Sequence, residues 1–231
     1  MSVIIDIIGG LFIGGFLLII ALTATDTATT ELYNFNSDAI IQQNLAHTSD
    51  IIQYDLRKMG FGIPEAQYGS ILQVATPSKV VFLSHLNSDP DCRVKIPGVT
   101  TLDNLEDTIS YSAVPFDSID YGDTTLVTYR LMRTIYVSPS YSRTMGVGII
   151  GNNDVFRYLD QIGNPVTYIP ATRMIEVTLT AYNPRVFLSK EWVESQIYDI
   201  KNEEFRKREL RRLLRASYWR QTRLISRNLR R

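Results

Sequence analysis

The stretch Ile7-Ile8-Gly9-Gly10-Leu11-Phe12-Ile13-Gly14-Gly15-Phe16-Leu17-Leu18-Ile19-Ile20-Ala21-Leu22-Thr23-Ala24-Thr25 holds no charged side chain. Its roughly 19 residues match the span of a bilayer core as a helix. A cleaved secretory signal has a basic start, a shorter apolar region and a small-residue cleavage site. Here the preceding residues are Met1-Ser2-Val3-Ile4-Ile5-Asp6, without Lys or Arg, and the run flows unbroken into Thr23-Ala24-Thr25-Asp26-Thr27. The stretch therefore reads as a retained transmembrane helix, because a buried core helix seldom stays apolar on every side for so long. Asp6 sits at its edge, where a carboxylate is costly unless it lies among headgroups or finds a partner. An interfacial marker and an ion pair with the α-amine of another subunit both fit it. Gly9, Gly10, Gly14 and Gly15 are the second unusual feature. Gly10 and Gly14 make the G-x-x-x-G spacing that lets helix backbones approach closely in lipid. Glycine also lowers helix stability, so the segment can stretch or melt locally.

Beyond Thr25 the chain turns polar but keeps a helical period. Ile41, Leu45, Ile52, Leu56 and Met59 recur at intervals of three, four or seven, with a break at Thr48. Gly60 and Gly62 supply a C-terminal stop, followed by Pro64. One helix is expected from about residue 3 to about residue 59, on the order of 85 Å long. The threonine-rich residues 23–30 have poor helix propensity and are expected to bend or interrupt it. From Ser70 to about Arg185, short β-branched runs alternate with turn formers. The expected strands are Ile71–Ala75, Lys79–Ser84, Thr108–Val114 (ending at Pro115), Thr125–Val137 (one long strand or two), Val155–Leu159 and Met174–Ala181. With no helical pattern between them they imply an antiparallel sheet, one face covered by the apolar stripe of the first helix. Lys190–Leu214 reads as a single helix and Ala216–Leu229 as a final strand. The fold class is α+β. The expected organisation is a filament-core or transmembrane half of the helix at 1–25, its amphipathic half at 26–62, a β-rich domain at 63–185 and a basic helix and strand at 186–231.

The 231 residues suffice for one sizeable core plus an extension. Lys+Arg and Asp+Glu both total 24, but 12 of the basic residues and three of the acids fall in 201–231. That tail is therefore +9 and the remainder −9. The single cysteine, Cys92, makes no intramolecular disulfide, and His47 and His85 lie too far apart for a metal-ligand spacing. Gly146-Val147-Gly148 lacks the third glycine and the strand–helix setting of a nucleotide-binding turn. No nucleophile–base set or paired-carboxylate motif stands out. The expectation is a protein that is not an enzyme and needs no cofactor.

The order of elements resembles the type IV pilins, and among them the PilW-type minor pilins and the pseudopilins. Four pieces carry the likeness: Ser2-Val3-Ile4-Ile5-Asp6 before an apolar run; Asp55-Leu56-Arg57-Lys58-Met59-Gly60-Phe61-Gly62; Val155-Phe156-Arg157-Tyr158-Leu159-Asp160 with Gly163 and Ile175-Glu176-Val177-Thr178-Leu179; and Ser226-Arg227-Asn228-Leu229. The resemblance spans nearly the whole chain through short motifs. It implies an N-terminal helix held in the inner membrane before assembly, N-terminus inside and C-terminus outside, and packed in a filament core afterwards. It also implies that Asp6, fifth counting from Ser2 and Asp where Glu is usual, pairs with the α-amine of a neighbouring subunit. The family's basic leader ending in glycine does not precede the apolar run.

The expected function is a structural subunit of an extracellular filament, with Asp6, Gly9, Gly10, Gly14 and Gly15 serving assembly. A low-copy subunit that primes or tips a filament or pseudopilus is one alternative, and an anchored binding module with a basic tail is another. Arg206, Lys207, Arg208, Arg211, Arg212 and Arg215 form a candidate intersubunit face. The expected partners are copies of the chain or other pilins. Nucleic acid is a less favoured partner for the basic tail.

Overall fold

The computed structural model describes residues 2–85, 107–121, 124–137, 141–183, 186, 190–198, 200–214 and 218–225. Helix α1 is Ser2–Leu56, 55 residues long, or about 80 Å at the α-helical rise. The threonine-rich stretch does not interrupt it, which corrects the expected interruption. Thr23, Thr25, Thr27 and Thr29 each donate their hydroxyl to the carbonyl four residues back, at 2.8–2.9 Å. Their polar groups are thus absorbed by the helix itself.

The chain divides into two compact units, Met1–Ile41 and Gln42–Arg231. The first is helix alone. The second is α+β. Its strands are β1 (Leu72–Thr76), β2 (Lys79–Ser84), β3 (Asp107–Asp120), β4 (Thr125–Val137), β5 (Tyr141–Ile150), β6 (Phe156–Leu159), β7 (Met174–Ala181) and β8 (Tyr218–Leu224). They form two antiparallel sheets rather than one, ordered β1-β2-β3-β4-β5 and β6-β7-β8. The core holds Ile52, Leu56 and Met59 with Val80, Phe82, Ile109, Tyr111 and Leu131.

β3 runs through Pro115, where a strand end was expected. Pairing with β2 reaches only Ser112, and the register against β4 shifts between Pro115 and Asp117. A proline without an N–H costs little where one side is unpaired and the ladder is already irregular. β5 was not anticipated: Tyr141–Ile150 contains two glycines and no clean alternation. Gly148 is there for close approach, since a Cβ would come within 2.3 Å of Thr48 Oγ1.

The second sheet is tied to the first by a side chain of the β5–β6 loop and by one of β6. Asn152 donates to Thr178 O at 2.9 Å and accepts from Thr180 N at 2.9 Å. Tyr158 of β6 donates to the carbonyls of Thr76 and Lys79, both at 3.1 Å, across the β1–β2 turn. Within the sheet, Glu176 of β7 is buried between cross-strand Arg157 and Arg223. Burial pushes its carboxyl up, but hydrogen bonding and charge from Arg223, with Gln221 and Arg157, hold it below its ordinary value.

The expected single helix at 190–214 is two, α2 (Lys190–Tyr198) and α3 (Glu203–Leu213). Asn202 caps α3, accepting from Glu204 N at 3.0 Å and Phe205 N at 3.3 Å. A cap of this kind requires extended backbone, and Asn202 has φ −84 and ψ 120. The pair of helices buries Val193, Leu210 and Leu214 against Leu126 and Val186 in a second small core.

Candidate assembly surface

The first unit presents its apolar side chains outward. Ile7, Ile8, Leu11, Phe12, Ile13, Phe16, Leu17, Leu18, Ile19, Ile20 and Leu22 are each 56–73% exposed. Removing that many large side chains from water is worth on the order of tens of kcal/mol. A helix apolar all round requires lipid or other apolar helices about it. The helix is long and apolar enough to cross a membrane.

The glycines lie on open surface. A Cβ at Gly9, Gly10, Gly14 or Gly15 would meet nothing within 4 Å. None of the four is therefore demanded by the chain's own packing, and each leaves a shallow notch that a neighbouring backbone can enter. The backbone of Asp6 lies within α1; its side chain is outside the described residues.

Sequence reasoning missed the continuation of this surface. Ile7, Leu11, Gly14, Leu18, Ala21, Thr25, Ala28, Leu32, Phe35 and Ala39 follow one another at alternating steps of four and three. That is the spacing of a helix–helix seam, and it runs past the uncharged stretch into residues flanked by Asp26, Glu31 and Asp38. Leu32 and Phe35 are 64% and 72% exposed, with Tyr33 and Ile40 exposed beside them. The seven-residue repeat was the available signal. The run of threonines obscured it, because Ala21, Thr25 and Ala28 put small residues, one of them polar, at three successive positions of the seam.

The stretch Asp55–Gly62 is a latch in the second unit. Asp55 is fully buried, at 0% exposure. Its carboxylate accepts from Tyr111 Oη of β3 and from Arg133 Nε and, at 2.9 Å, Nη2 of β4. Lys58 Nζ adds a contact at 3.8 Å and stands 3.6 Å over the Tyr54 ring. Burial, then the nearby Asp55 charge, pushes the Tyr111 phenol well above its ordinary value, so it remains a donor. Burial opposes the charge on Arg133, but the hydrogen bond and charge of Asp55 outweigh it and raise its pKa. Gly60 and Gly62 then take φ of 70 and 72. At Gly62 a Cβ would also come within 2.9 Å of the His85 Cβ. Gly60 N donates to Leu83 O at 2.9 Å and His85 N to Phe61 O at 2.8 Å. The end of α1 is thereby fastened to β2, β3 and β4.

The basic residues occupy α3. Leu210 is buried, Lys207 is half-buried, and Arg206, Arg208, Arg211 and Arg212 are exposed. Lys207 pairs with Glu203 at 3.2 Å, and Arg212 pairs with Glu209. Arg215, the last of the candidate set, lies outside the described residues, as do Cys92 and the Ser226-Arg227-Asn228-Leu229 motif. The glycine set and the basic set fall in different units, Met1–Ile41 and Gln42–Arg231. Comparison with protein-family models, with curated proteins and with solved structures finds no match in any of the three.

Proposed function

We propose that this chain is a membrane-anchored structural subunit that assembles through its N-terminal helix into a filament of the type IV pilus kind. The observation that supports this reading is the first unit: eleven large apolar side chains, 56–73% exposed, on a helix of 55 residues. Lipid satisfies such a surface before assembly, and other copies of the helix satisfy it afterwards. A plain anchor has no use for a seam that continues through Leu32 and Phe35, past the length of a bilayer core. In the assembled state Asp6 pairs with the α-amine of a neighbour. The pair is stable in an apolar core only with both charges present. The subunit is held in the inner membrane with its N-terminus inside, and its second unit is displayed outside.

The test is negative-stain electron microscopy of sheared cell-surface material, with mass spectrometry of its content. Thin filaments in which this chain dominates are expected. Asp6→Ala, and separately Gly10→Leu with Gly14→Leu, should abolish them while the chain still accumulates in the membrane. Filaments holding the chain only in trace would assign it a priming or tip role. A chain that stays in the membrane fraction, with no filament formed, would overturn the reading in favour of an anchored binding module.

A further inference from the structure

The charge on this chain is segregated by element. Residues 1–56 contain no Lys or Arg, so α1 bears only acids: Asp6, Asp26, Glu31, Asp38, Asp50 and Asp55. Asp55 is spent on Arg133, and Asp50 lies 3.7 Å from Arg220. Past the uncharged stretch, Asp26 and Glu31 are exposed and Asp38 is half-buried. They alternate with the exposed apolar residues Leu32, Phe35 and Ile40. At the other end of the chain, α3 has the complementary character. Arg208 and Arg211 are exposed beside the Lys207–Glu203 and Arg212–Glu209 pairs, and Phe205 is 61% exposed. One surface is acidic and apolar, the other basic with an aromatic.

We infer that the basic face of α3 docks on the acidic segment 26–40 of α1 in a second copy of the chain. The inference rests on the subunit reading above and names the contact that orders it. The two surfaces differ, so the contact is heterologous: each copy offers one surface to the copy before it and the other to the copy after it. Such contacts build rings if the rotation closes and open helical polymers if it does not. Exposed charge pairs contribute little energy singly. Their role is register and partner choice, while the apolar seam supplies the affinity.

The experiment uses full-length chains in detergent, one copy tagged and one untagged, with capture of the untagged copy as the readout. One variant carries Arg208→Glu with Arg211→Glu; the other carries Glu31→Lys with Asp38→Lys. Self-capture of each variant should fall by about tenfold or more relative to the parent chain. Mixed together, the two variants should capture each other at the parent level, because each then offers what the other lacks. Capture should also weaken with added salt. Failure of the mixture to recover, or self-capture unchanged in both variants, would sink the contact. The Arg208→Glu, Arg211→Glu chain is also tested on phosphatidylglycerol vesicles and on single-stranded DNA. If it loses binding to either while self-capture is unchanged, that ligand is the partner of α3 and the inference falls. Filament formation is read separately by microscopy. Filaments that persist in both variants leave the subunit reading intact and remove only this contact. Copies that capture each other as described without ever forming filaments keep the contact and remove the filament.

Discussion

The two parts of α1 have opposite relations to the rest of the chain. Between Leu45 and Leu56, the groups that face inward find partners within the protein. Leu45, Ile52 and Leu56 are buried, and Asp55 is met by Tyr111, Arg133 and Lys58. Thr48 donates to Val147 O at 3.4 Å, and Gln53 donates to Ser49 at 2.9 Å. Between Ile7 and Leu22, large side chains point outward on every side, and the glycines adjoin empty space. One continuous helix thus carries two kinds of surface. A stripe of apolar residues interrupted by satisfied polar ones indicates a partner already present in the chain. An apolar surface without interruption indicates that the partner is lipid or another molecule.

The sharpest way to break the inner half is Asp55→Ala. It leaves the Arg133 guanidinium, with a side chain only 17% exposed, beside a void and removes the acceptor of Tyr111. A loss of roughly 3–5 kcal/mol in urea unfolding of the second unit's signal is expected, the size seen when one member of a buried pair is removed. A change under about 1 kcal/mol would mean that Asp55 does not hold the helix end to the sheet.

A smaller effect tests the close approach at β5. Gly148→Ala should cost roughly 1–3 kcal/mol, because the new methyl meets the Thr48 hydroxyl. In a Thr48→Ala background the same change should cost much less. The double-mutant cycle should return a coupling of about 1 kcal/mol. Additive costs would show that Gly148 is present for a reason other than Thr48.

The smallest expected effect on stability belongs to the outer half. Leu32→Lys with Phe35→Lys should leave the unfolding of the second unit within about 0.5 kcal/mol. The same double variant should abolish self-capture of the chain in detergent. Loss of stability comparable to that of Asp55→Ala would contradict the division of α1 into an inward and an outward half.

Several elements were legible because they rest on local chemistry. Gly60 and Gly62 take positive φ, a local demand that only glycine meets cheaply, but they lie in the turns beyond the helix, which ends at Leu56 rather than at the expected residue 59. β4 and β7 matched their expected bounds, Thr125–Val137 and Met174–Ala181, because their β-branched runs lie between turn formers. Asn202 before Glu203-Glu204 was equally local, yet the uniform charge of 190–214 masked it and merged two helices into one. β5 was illegible for another reason. Gly146 and Gly148 carry no hydrophobic pattern, and their value lies in what packs over them.

The sequence alone determined that the N-terminal segment is an uncharged helix, that strands follow it, and that acid and base are segregated along the chain. Composition and period suffice for these, because each is set by residues near one another in the chain. Only the tertiary structure decided that the strands divide into two sheets and that Thr48, a flaw in the apolar stripe by sequence, is a fitted contact. It alone paired Asp55 with Tyr111 and Arg133, 56 and 78 residues away. Partners so distant leave no periodic trace. What selects them is the cost of an unpaired charge in a closed core, and that cost arises only when the chain has folded around it.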